Sequence, residues 1–155
     1  EYILFENLPG IEKVADITPQ FWENRMEQIV NFEKHISQNG TKILKFYFHM
    51  SKDEQRERLL KRLENPEDNW KFSTGDLKER GRWDGYMKYY DEAINNTATD
   101  FAPWYIVPAD DKGVARYIVA KIIWEEMEKL TDIAEPELDP KVKANIEEYR
   151  TQLKK

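Results

Sequence analysis

The chain has 155 residues, a formal charge of −6 and no cysteine, with 40% hydrophobic and 13% aromatic residues. That length and apolar content suit one packed domain, or most of one, and argue against disorder except at the ends. Disulfides and thiolate-bound metals are excluded, and no apolar run approaches the roughly 20 residues of a membrane-spanning helix. No secretory signal is visible, and the missing cysteines agree with a reducing, cytoplasmic setting. The acidic balance argues against general nucleic-acid binding, although one patch can differ in sign from the whole. The first residue is Glu1 and not Met, so the chain is expected to be a piece of something longer.

Glu1 to Ile17 has no regular period, and Pro9-Gly10 reads as a turn. Thr18-Pro19 then reads as an N-cap followed by proline at the first helical position. Trp22, Met26, Ile29 and Ile36 fall near helical spacing, and Asn39-Gly40 ends the segment. Lys42 to His49 alternates, with Leu44, Phe46 and Phe48 on one side and Lys45, Tyr47 and His49 on the other; the pattern predicts a strand. Ser51 with Glu54 three residues on is a capping box, opening a helix that carries Leu59 and Leu63 and stops at Pro66. Ser73 with Asp76 repeats that signal more weakly. One helix is expected from there to about Asn95, with Trp83, Tyr86, Met87, Tyr90 and Ile94 on one stripe. Asn96 to Pro103 reads as a loop. Trp104 to Val107 reads as a second strand, with Pro108 tolerated only at its end or on an edge.

Asp110 or Asp111 caps a long helix carrying Val114, Ile118, Ile122, Met127 and Leu130. A proline-punctuated linker leads to Asp139-Pro140, which opens a last amphipathic helix with Val142, Ile146, Tyr149 and Leu153 in register. This alternation predicts an α/β layer fold with parallel strands. Two strands make a poor sheet, so further strands are expected upstream of Glu1.

The stretch ILKFYFHMSKDEQRERLLKRLENPEDNWKFSTGDLKERGRWDGYMKYYDEAI, followed by NTATDFAPWYIVPADDKGVAR, resembles the polyphosphate kinase 2 family. The likeness is colinear and dense. It takes in Ser51-Lys52-Asp53-Glu54-Gln55, Trp70-Lys71-Phe72-Ser73, Asp76, Arg80, Trp83, Tyr86, Ala102-Pro103-Trp104-Tyr105 and Ala109-Asp110-Asp111-Lys112, and extends from roughly Asn7 to Leu130. The resemblance implies a partial P-loop kinase fold, three-layered and similar to thymidylate kinase, with a helical lid at about residues 51–95. Residues 1–131 would be the C-terminal part of that kinase domain, and 132–155 a linker and C-terminal amphipathic helix.

The implied activity is phosphoryl transfer between inorganic polyphosphate and a nucleoside mono- or diphosphate, with Mg²⁺. The implied partners are polyphosphate, AMP, ADP, ATP or guanine equivalents, and further copies of the chain; no membrane or nucleic acid is implied. One departure matters. The sequence has no G-x-x-x-x-G-K-[ST] pattern, and Gly81 and Gly85 have the wrong neighbours for it. The phosphate loop, the acidic metal site and the catalytic groups are therefore expected upstream, and this chain alone is expected to be inactive. A non-catalytic polyphosphate-binding module and a fragment of an ATP-dependent nucleotide kinase stand as alternatives.

The segment NWKFSTGDLKERGRWDGYMKYY, residues 69–90, is basic and aromatic within an acidic chain. Arginine presents a planar fork matched to phosphate, and lysine a compact charge. With the resemblance, Arg62, Lys71, Arg80 and Arg82 are the phosphate-binding candidates, beside Arg56, Lys61 and Lys78. Asp110 and Lys112 are candidates on the nucleotide side, since ligands of open α/β sheets bind at strand carboxyl ends. The plainer reading is a solvated helix decorated with i,i+4 pairs such as Asp76–Arg80. On an ideal helix Lys78 and Arg82 share a face while Arg80 points elsewhere, so one straight phosphate chain meets all three only if the helix is irregular near Gly81. Trp83, Tyr86 and Tyr90 read as core before they read as a base-stacking platform. His35 and His49 lack partners at metal-ligand spacing.

Overall fold

The computed structural model describes residues 10–131 and 133–154, and readings that rest on Glu1 to Pro9 lie outside them. Thr18 caps α1 (Pro19–Gln38), its Oγ1 accepting the Phe21 N–H at 3.2 Å. Pro19 stands in the first turn, where the N–H it lacks has no helical partner. After Asn39 the chain reverses through Gly40 at φ +88°, a left-handed conformation that glycine takes without strain.

β1 (Lys45–His49) pairs in parallel with β2 (Trp104–Pro108), Lys45 opposite Trp104 and His49 opposite Pro108. The predicted strand from Lys42 is thus shorter, because its ladder begins only where the Pro103 carbonyl accepts the Lys45 N–H at 3.1 Å. Pro108 sits at the last register position, and the following Ala109 N–H reaches the His49 carbonyl at 2.9 Å. The crossover between the strands holds α2 (Lys52–Glu64), a 3-10 segment (Pro66–Lys71), α3 (Thr74–Arg80) and α4 (Trp83–Thr97). α5 (Lys112–Glu128) follows β2.

The single helix expected from Ser73 to about Asn95 is two helices. At the break the Arg82 N–H bonds back three residues to the Glu79 carbonyl at 3.0 Å, tightening the last turn of α3. Arg82 then leaves helical geometry at φ −100°, ψ 16°. Gly81 supports the break by its low helix propensity, and a Cβ there would meet the Lys78 carbonyl at 3.2 Å. Both halves of the Ser73–Asp76 capping box form. At α2 the Ser51 hydroxyl caps the Glu54 N–H, but the Glu54 carboxylate turns to Arg58 at 2.7 Å.

By contacts the chain divides into a unit up to Val119 and a unit from Ala120, with α5 passing from one to the other. In the first, Ala102, Val107, Ala109 and Ala115 are buried. A polar knot joins α1, β1, α4 and β2 there. The Lys45 ammonium lies 2.7 Å from both the Glu33 carboxylate and the Thr97 carbonyl. It also lies 5.2 Å from the Trp104 ring, whose Nε1–H donates to Thr97 Oγ1 at 2.9 Å. In the second unit the expected last helix is divided into α6 (Pro140–Ala144) and α7 (Ile146–Leu153). Asn145 separates them by leaving helical geometry at φ −112°, ψ 14°.

Candidate functional site

α2, α3, α4 and the carboxyl end of β1 enclose a cleft of about 470 Å³. Arg58, Arg62 and Arg80 line it together with Asp76 and Glu79. Tyr47, Trp83, Tyr86 and Tyr90 form its aromatic wall. That wall is the stripe read from sequence as core. Trp83 and Met87 are half-buried, whereas Tyr86 and Tyr90 remain 42% and 46% exposed.

Arg80 reaches back from α3 to the start of α2, its Nη1 donating to the Lys52 carbonyl at 2.6 Å and to Gln55 Oε1 at 3.0 Å. Among the described residues, only this one of its nitrogens is engaged. Arg62 holds a loose pair with Asp76, at 3.8 Å. Arg62 of α2 and Arg80 of α3 line one cleft, but Lys71 and Arg82 are not on its wall. Lys71 pairs with Asp68 at 2.5 Å and sits 5.3 Å from the Trp70 ring. Its hydrogen bond, with that of Asn65 behind it, holds the Asp68 carboxyl below its ordinary range. Arg82 lies 3.4 Å from Glu79. Arg56 pairs with Glu57 at 2.9 Å on the exposed side of α2, and Lys61 and Lys78 are exposed as well.

Arg58 was not among the residues the sequence singled out. Its Nε donates to Glu54 at 2.7 Å, and its Nη2 to the Ala109 and Asp110 carbonyls at 2.7 and 3.1 Å. The signal was present, because Arg58 and Arg62 stand four residues apart and so share a helix face. The two adjacent aspartates after β2 divide their work. Asp111 Oδ1 caps α5, accepting the Gly113 and Val114 N–H groups at 2.7 and 2.9 Å. Asp110 Oδ1 instead accepts the Ser51 N–H at 2.7 Å. That amide first, the Ser51 hydroxyl second, and then the positive field of Arg58 hold its carboxyl below the usual range. Lys112 opens α5 in an exposed position.

On the aromatic wall the Tyr86 hydroxyl donates to Glu79 at 2.5 Å, which raises the Tyr86 pKa. Tyr47 is raised by burial and then by Tyr90, whose ring centre lies 4.8 Å away. Among the described residues no three or more histidine and acidic side chains gather to hold a metal ion. No helix among the described residues is long and apolar enough to cross a membrane.

Two parallel strands joined by a helical crossover define a mixed α/β protein, and the carboxyl end of β1 opens onto a cleft lined by three arginines and two carboxylates. The family model for polyphosphate kinase 2 matches residues 5–135. The chain is 48% identical over 135 residues to an ADP-polyphosphate phosphotransferase of Rhodopseudomonas palustris, across 87% of this chain and 46% of the relative. It is 45% identical over 121 residues to an AMP/ADP-polyphosphate phosphotransferase of Meiothermus ruber, across 77% of this chain and 45% of the relative. A crystal structure of polyphosphate kinase 2 from Arthrobacter aurescens superposes with a TM-score of 0.76 at 38% identity, across 85% of this chain and 47% of that one. The chain belongs to the polyphosphate kinase 2 family. It spans about half the length of these curated relatives.

Proposed function

We propose that the chain is the lid-bearing part of a phosphotransferase that moves a phosphoryl group between inorganic polyphosphate and a nucleoside mono- or diphosphate. In this reading residues 1–131 belong to a P-loop kinase domain of thymidylate kinase type, and residues 51–95 form its lid. The terminal phosphorus of the polyphosphate gains a bond to a phosphate oxygen of the nucleotide as its bond to the shortened chain breaks. Such a step gives the protein little covalent work to do, and its rate depends on positioning and charge stabilisation. Arg62 and Arg80 are the primary phosphate contacts, since both line the cleft and neither has its whole fork engaged. Lys71 and Arg82 extend the cationic path outside the cleft, and Lys112 lies on the nucleotide side. Mg²⁺ is the metal the family resemblance implies, and when bound it would neutralise part of the phosphate charge.

The observation that carries the reading is the pair of arginines from α2 and α3 on one cleft of a polyphosphate kinase 2 chain. Assay of the full-length protein for ADP or ATP formed from polyphosphate and AMP or ADP tests it. Formation of product is the expected result; a folded protein that never uses polyphosphate with any divalent metal overturns it. A second reading is a non-catalytic module that binds a phosphate polymer through the same arginines. Polyphosphate binding without transfer in the full-length protein would select that reading.

A further inference from the structure

Ser51 follows the end of β1, and Asp110 follows the end of β2. The bond from the Ser51 N–H to Asp110 Oδ1 therefore ties together the two loops that leave the carboxyl ends of neighbouring strands, across 59 positions of sequence. Arg58 makes the same connection one layer further in, from α2 to the carbonyls of Ala109 and Asp110. Its Nε is held by Glu54 and its Nη2 by both carbonyls, so most of its fork is turned to protein. Ala109, between the strand and the clasp, is 5% exposed. Capping does not explain Asp110, because Asp111 alone caps α5.

We propose that Asp110 and Arg58 are positioning residues: they form a clasp that fixes the spacing of the β1–α2 and β2–α5 loops, and Asp110 does not itself contact substrate. The inference rests on the nucleotide phosphotransferase reading for its functional consequence. In an open α/β sheet the ligand crevice lies outside the strand ends, between such loops. Their spacing then sets the width of the crevice, and a misplacement of about 1 Å can cost up to about a hundredfold in rate or affinity. A clasp needs an acceptor at Asp110 and a fork at Arg58; it does not need the negative charge of Asp110.

The test uses the full-length protein, polyphosphate with ADP or AMP, and hydrogen exchange of the Ser51 amide. Asp110→Ala is expected to raise the KM for nucleotide about tenfold with kcat changed far less, and to deprotect the Ser51 amide. Asp110→Asn keeps an oxygen for the same N–H and is expected to restore both. Arg58→Lys should behave like Asp110→Ala, because a single ammonium cannot span Glu54 and both carbonyls. If Asp110→Asn leaves the Ser51 amide protected yet raises KM as much as Asp110→Ala, the charge acts on the ligand and the clasp is overturned. An unchanged KM in both Asp110→Ala and Arg58→Lys overturns it equally. A wild-type protein that transfers no phosphoryl group defeats the proposed function instead; the Ser51 amide in the alanine and asparagine variants still decides the clasp.

Discussion

Cationic side chains differ here less in charge than in what they already hold. Arg62 has a long pair with Asp76, and Arg80 uses one nitrogen of its fork. Lys71 pairs with Asp68 outside the cleft, and Arg82, itself off the wall, pairs with the cleft carboxylate Glu79. Arg62→Ala and Arg80→Ala should therefore lower kcat/KM with polyphosphate by about tenfold or more each in the full-length protein. Arg82→Ala, whose exposed pair is worth little, should lower it by about threefold or less. Steady-state kinetics at fixed salt checks the ranking. Sequence could name the arginines but not rank them, because the ranking depends on partners up to 28 positions away, as with Arg80 and Lys52. Asp110 shows the same gap: a capping aspartate at 110 or 111 was legible from the helix that follows, whereas the Ser51 amide is brought to Asp110 only by strand pairing.

Asp110 also gives a pH prediction. Its folded-state pKa is depressed, so the unfolded chain binds the proton more readily. The stabilisation is present above the ordinary aspartate range and is lost as pH falls through the lower folded value. Unfolding midpoints should drop more steeply below about pH 4 in wild type than in Asp110→Asn, which carries no titrating group there.

Among the elements, those with strong local signals came through: Thr18-Pro19 opened α1, Ser51 opened α2, and Gly40 closed the turn before β1. The break between α3 and α4 was only partly legible. Gly81 marks it, but isolated glycines are tolerated inside helices, and the stripe from Trp83 to Ile94 lies wholly within α4 and carries no signal about the junction before it. The break matters because it gives α3 a start and an end of its own, and only seven residues between them. So short a helix leans on its cap. Ser73→Ala should cost about 1 kcal/mol, read by denaturant unfolding, and should weaken polyphosphate binding through Arg80.

For the molecule as a whole, the α/β class and the parallel pairing followed from the order of elements, and the family from a long colinear likeness. The knot at Lys45 did not, since nothing in the spacing of Glu33, Lys45, Thr97 and Trp104 announces it. Both charged side chains of its ion pair are 11% exposed. Removing one partner leaves the other charge buried without compensation. Lys45→Met should therefore destabilise the protein by about 3 kcal/mol, measured by chemical unfolding, a larger loss than any single substitution on the rim of the cleft.

In the proposed phosphotransferase, Arg62 and Arg80 meet the oxygens of a phosphate chain. The most direct measurement is the polyphosphate affinity of the full-length protein across a range of salt concentrations, in wild type and in the Arg62→Ala, Arg80→Ala double variant. Wild-type affinity should fall steeply with salt, and the double variant should bind more weakly, with a log–log slope shallower by about one to two. Equal affinity and an equal slope in the two proteins would contradict the account.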